Sequence, residues 1–101
     1  MNRQLIFTES ARSDFVDIQA YTIEHFGIGG WEKYEEQMAH SFDQILTFPE
    51  SGIKKDEWPK NLRGKLSGRH IIIYKIDVLS ITVVRIFHQR MDFTRQFSGD
   101  D

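Results

Sequence analysis

The last third of this chain reads as one β-hairpin, and the remaining elements have to be arranged around it. Arg69-His-Ile-Ile-Ile-Tyr-Lys-Ile76 and Ile81-Thr-Val-Val-Arg-Ile-Phe-His88 are β-branched, aromatic-rich runs on either side of a short break, Asp77-Val-Leu-Ser80. Simple alternation along the second run turns Ile81, Val83, Arg85 and Phe87 one way and Thr82, Val84, Ile86 and His88 the other. In its neighbour, Ile71 and Ile73 oppose Ile72, Tyr74 and Ile76. Both faces are apolar, so both need cover. One helical layer covers one face; the tail, with Phe93 and Phe97, is expected to fold over part of the other, and a partner polypeptide could cover more. Arg85 stands in an apolar strand, where a guanidinium costs desolvation unless an anion meets it.

The residues upstream supply the helical layer. Arg3-Gln-Leu-Ile-Phe-Thr8 is a short strand, after which Thr8 or Ser10 can cap a helix and Glu9 suits its positive end. Ala11, Phe15, Ile18, Thr22 and Phe26 recur at helical spacing and predict a helix over 9–26. Gly27-Ile-Gly-Gly30 turns the chain. Trp31, Tyr34, Met38, Phe42, Ile45 and Leu46 form the stripe of a second helix, stopped at Pro49-Glu-Ser-Gly52. Residues 53–61 are polar and read as a loop. Leu62-Arg-Gly-Lys-Leu66 is a weak strand, and Ser67-Gly68 a tight turn into the hairpin. The order predicts an α+β domain: an N-terminal strand, a helical hairpin, then a three-stranded antiparallel meander.

With 101 residues, the chain is expected to be a single domain over 1–101 with one core. Cysteine is absent, which excludes disulfides and thiolate metal sites and suits a reducing cytoplasm. Neither a signal segment nor a membrane span is expected. The net charge of -2 hides a division. Residues 1–52 carry 3 basic and 9 acidic groups, whereas residues 53–97 carry 10 basic and 4 acidic. Such asymmetry points to an anionic partner for the C-terminal half, or to two halves that neutralise each other on folding.

Most catalytic signatures are missing. There is no Gly-x-Ser-x-Gly elbow and no phosphate loop of the Walker type. His25, His40, His70 and His88 lack ligand spacing, so neither a metal nor another cofactor is expected. The Gly27–Gly30 run joins helices and does not follow a strand, which makes it a turn and not a dinucleotide loop. What remains is a basic cluster: Arg63, Lys65, Arg69, Arg85, His88 and Arg90, with Lys54 and Lys55 before it. A ribonuclease could use His88 as general acid or base with Arg63 and Arg85 stabilising the phosphorane. A binding surface could use the same set against an acidic partner. The plainer reading is a solvated face with Arg85 tied to a carboxylate such as Asp92.

In order and spacing these residues resemble the ParE group of the RelE/ParE toxin superfamily of bacterial type II toxin–antitoxin modules. The resemblance runs from Ala11 to Phe97. It rests on Ala11, Asp14, Phe15, Asp17, Ile18 and Tyr21, on Phe26-Gly27, and on Tyr34 and Phe42. Further along it takes in Pro49-x-x-Gly52, Leu62-Arg63, His70-x-Ile72-x-Tyr74 and Arg85-Ile-x-His88-x-x-x-Asp92. It implies the superfamily's fold, a cognate ParD-like antitoxin encoded alongside, and inhibition of DNA gyrase from the bacterial cytoplasm. RelE-like relatives instead cut messenger RNA on the ribosome. The ending Phe87-His88-Gln89-Arg90-Met91-Asp92 is closer to the ParE pattern, and the net negative charge disfavours docking to ribosomal RNA. On this reading the chain is not an enzyme and binds no nucleic acid by sequence. Arg63, Arg69, Arg85, His88, Arg90 and Asp92 are its expected contacts with antitoxin or target.

Overall fold

The computed structural model describes residues 3–90. Strand β1 (Gln4–Phe7) leads into the helical segment α1 (Glu9–Thr47), then a 3-10 turn (Pro49–Ser51) and strands β2 (Leu62–Ser67), β3 (His70–Ile76) and β4 (Ser80–His88). The sheet order is β1-β4-β3-β2. β2, β3 and β4 form the antiparallel meander, and β1 joins the outer side of β4 in parallel. Class and element order are those expected from the sequence.

Thr8 starts the helix as its side-chain cap: the hydroxyl oxygen accepts the Ala11 N–H at 3.0 Å. Gly27, at φ 76 and ψ 176, breaks α1 into arms 9–26 and 28–47, a backbone conformation reserved for glycine. The turn is tighter than the expected four residues, because Gly29 and Gly30 are already helical in the second arm. The arms fold back on one another, with Phe15 and Trp31 rings edge to face at 5.4 Å.

Strict alternation in β4 fails at Val84. Ile73 pairs with Arg85, but Tyr74 pairs with Val83, so Val84 has no partner on β3 and forms a bulge. Ile81, Val83 and Ile86 therefore pack together on the helical side, and Phe87 packs with Ile71 and Ile73 on the other. The grouping of Ile81, Val83, Arg85 and Phe87 on one face is corrected accordingly. The cause lies at the sheet edge. β1 ends at Phe7, so among the described residues no strand flanks the outer side of β4 beyond Val83, and the helix start lies there. Thr8 N–H donates to the Val83 carbonyl at 3.1 Å and its hydroxyl to the Val84 carbonyl at 2.8 Å. Asp14 then accepts the Ile86 N–H at 2.9 Å.

Two apolar layers result. On the helical side Ala11, Ile18, Trp31, Met38 and Ile45 pack against Ile72, Tyr74, Ile81, Val83 and Ile86. On the other, Trp58 and Leu62 cover Ile71, Ile73 and Phe87. The cover from Phe93 and Phe97 lies outside the described residues. Trp58 comes from the segment expected to be a polar loop, and is 4% exposed. Paired bonds of 2.8 Å between Ile53 and Gly64 hold that segment against β2.

Candidate functional site

The sheet ends in two turns that are tied to each other. Ser67 and His70 face one another across Gly68 and Arg69, with Gly68 at φ 58 in the first central position, as a II′ hairpin turn requires. Beside it, His88 closes β4 opposite His70. Gln89 N–H donates to the Arg69 carbonyl at 2.8 Å, and its amide nitrogen donates to the Gly68 carbonyl at 2.7 Å. Arg90 N–H donates to His88 Nδ1 at 3.1 Å, which leaves Nε2 as the donor of the ring.

Tyr34, from the second helical arm, anchors this end from beneath. Its oxygen accepts the Arg69 N–H at 3.0 Å and lies 2.6 Å from His70 Nδ1 and 3.1 Å from the Ser67 carbonyl. The one phenolic proton serves His70 or Ser67, and the imidazole tautomer follows. Burial, then the neighbouring His88 and Arg69, push the His70 pKa down to about 4, so its ring is neutral at pH 7. Burial raises the Tyr34 pKa, which keeps the phenol protonated. At this corner Tyr34 and His70 form a neutral hydrogen-bonded block.

Above the block lies a cleft of about 550 Å³. The first helical arm lines it with Asp17, Ile18, Tyr21, Thr22 and Phe26, and the sheet with Arg69, His70 and His88. A polar recess shares its Tyr21, Arg69 and His88 walls and adds Gln89 and Arg90. Arg69 lies 6.0 Å from the centre of the Phe26 ring, at the mouth between the two.

Of the expected site residues, the structure brings together Arg69, His88 and Arg90. Arg63 sits on β2 opposite Tyr74, four residues from Ser67 and roughly 13 Å along the strand. Its guanidinium donates to the Glu50 carbonyl at 2.9 Å. Arg85 is mid-strand and bound to Asp14 through Nε at 2.8 Å and Nη2 at 3.0 Å. Its partner carboxylate is Asp14; Asp92, the carboxylate suggested by the sequence, lies outside the described residues. The hydrogen bond to Asp14 raises the Arg85 pKa further. Charge alone overlooked Tyr34 and His70, which build the corner, and Phe26 and Tyr21, which wall the cleft. Among the described residues no three His, Asp or Glu side chains converge on a metal position, and no helix is long and apolar enough to cross a membrane.

Residues 5–93 match the sequence profile of the family described as ParE toxin of type II toxin-antitoxin system, parDE. The chain belongs to the ParE toxin family. Toxin ParE1 of Mycobacterium tuberculosis, in two strains, is 28% identical over 96 residues, covering 94% of this chain and 98% of the relative. A solved structure described as the chromosomal ParDE toxin–antitoxin system from P. aeruginosa shares the fold at a TM-score of 0.72 and 14% identity. The alignment covers 85% of this chain and 95% of that one. This ParE-family chain is accordingly the toxin of a type II toxin–antitoxin system. The profile match spans both the Asp14–Arg85 pair and the basic end of the sheet.

Proposed function

We propose that this toxin inhibits DNA gyrase by binding it, without catalysing a reaction of its own. A ParD-like antitoxin encoded beside it neutralises the toxin by covering the basic end of the sheet. The observation that carries the non-catalytic reading is the separation of the residues a ribonuclease would need. His88 lies at the end of β4, Arg63 turns to the Glu50 carbonyl, and Arg85 is engaged with Asp14. A general acid and the cations that stabilise a phosphorane must act on the same few atoms. These three do not converge. The contact surface is then Arg69, His88 and Arg90, with Arg63 on the neighbouring edge and Asp92 included on sequence grounds. A gyrase target places the toxin in the bacterial cytoplasm.

The test pairs two assays on the purified chain. With gyrase and plasmid it is expected to block supercoiling or trap cleaved DNA. In cell-free translation it is expected to leave messenger RNA intact. Ribosome-dependent cuts in the message, lost on His88→Ala, would replace this reading with a nuclease.

A further inference from the structure

Two observations at the basic end belong together. The cleft between the first helical arm and the sheet is mainly apolar, walled by Ile18, Tyr21 and Phe26, and Phe26 is 58% exposed. A large side chain in so exposed a position, beside an open cleft, is a surface suited to burial by a partner. Its rim, by contrast, is cationic. The guanidinium groups of Arg69 and Arg90 form no hydrogen bond or ion pair with another described residue. His88 Nε2 stands on the same rim as a donor, because its Nδ1 accepts the Arg90 N–H.

The backbone beneath these donors is fixed in advance. Tyr34 holds Arg69 N–H, and Gln89 crosses from one turn to the other. Backbone held this way loses little conformational freedom on binding, so the ordering cost falls on the two arginine side chains. We propose that the cleft takes a peptide segment of the antitoxin presenting a large apolar side chain with a carboxylate next to it. The apolar group fills the space against Ile18, Tyr21 and Phe26, and the carboxylate meets Arg69, Arg90 and His88. The proposal rests on the reading that an antitoxin covers this end of the sheet.

A nucleotide fits less well. Inside the cleft, Thr22 already donates to the Ile18 carbonyl and Tyr34 is held by the corner, so few polar groups are left to pair with a base. Asp17 on the wall repels any anion, and a doubly charged phosphate more than a single carboxylate. A polynucleotide also needs several neutralised phosphates, whereas a single carboxylate needs only this rim.

The test uses N-acetyl-L-phenylalanine as the probe, titrated into the full chain and followed by NMR at the His70 and His88 rings. The expected result is saturable binding about fivefold tighter than that of the neutral N-acetyl-phenylalaninamide. Arg69→Gln removes that preference, and Phe26→Ser weakens acid and amide alike. With the product of the adjacent antitoxin gene bound, the probe produces no shift. Equal binding of acid and amide, tighter binding of AMP or inorganic phosphate, or no binding at all would overturn the proposal. So would undiminished probe binding in the antitoxin complex. None of these readouts involves gyrase, so a failed gyrase assay leaves the result standing.

Discussion

Asp14 and Arg85, 71 residues apart in sequence, are joined by two parallel hydrogen bonds of 2.8 and 3.0 Å. Asp14 also accepts the Ile86 N–H, so one carboxylate stands in for the strand that β1 is too short to provide. The side chains are only 14% and 34% exposed. The pair fastens the first helical arm to β4 just beyond its bulge, and so sets where Ile86 and His88 point. Arg85 is further packed on Phe87, 4.7 Å from the ring centre.

Removing either partner should destabilise the fold, but unequally. Asp14→Ala strands both the guanidinium and a backbone N–H, and is expected to cost about 2–4 kcal/mol. Arg85→Ala leaves Asp14 its Ile86 bond and should cost about 1–2 kcal/mol. Urea denaturation of both variants and the double variant checks the order and the coupling between them. Equal costs would mean that the Ile86 bond is worth no more than the packing of Arg85 on Phe87.

Trp58 should behave as a core residue although it lies between strands and helices. Trp58→Ala is expected to lose about 3–5 kcal/mol, a loss of the same order as for Trp31→Ala. Thermal or chemical melting decides the matter. A loss below about 1 kcal/mol would mean that the far face of the sheet does not depend on it.

His70 makes stability depend on pH in a defined direction. The unfolded imidazole takes up a proton near pH 6.5, the folded one only near 4. Between these values the unfolded state binds more protons, so stability is full above about 6.5 and falls as pH drops towards 4. With solvent screening of this half-buried ring, the loss is on the order of 1–2 kcal/mol. The pH series is measured against His70→Asn, which cannot titrate. Identical slopes for the two proteins would contradict the environment described for His70.

Much of this was legible in the sequence because the signals were periodic or local. Thr8, the apolar stripe from Ala11 to Phe26, Gly27 and the β3–β4 runs each specify an element by themselves. The bulge at Val84 was not legible, since Val84 is as apolar as its neighbours and its cause lies at Thr8 and Asp14, far away in sequence. Trp58 was hidden because one large residue hardly alters the polar character of 53–61. The Asp14–Arg85 pair did leave a trace: an acid three residues after Ala11, inside the buried stripe, and an arginine inside an apolar strand. Two costly charges in two apolar patterns predict each other. At the site, charge picked out Arg69, His88 and Arg90 but also gathered in Arg63 and Arg85, because sequence spacing does not show which edge of the sheet an arginine occupies. Tyr34 and His70 went unassigned to the site, as each reads equally well as ordinary core.

On the proposed function, the basic end of the sheet acts on gyrase, an activity separable from what holds the fold together. Its most direct measurement is gyrase supercoiling titrated with the wild type, Arg69→Ala, Arg90→Ala and Asp14→Ala, with thermal melting recorded on the same preparations. The wild type is expected to inhibit. Arg69→Ala and Arg90→Ala should each raise the half-inhibitory concentration about tenfold or more with little change in melting. Asp14→Ala should melt lower yet still inhibit at temperatures where it is folded. Absence of inhibition by the wild type, or inhibition that follows melting temperature across all four proteins, would contradict the account.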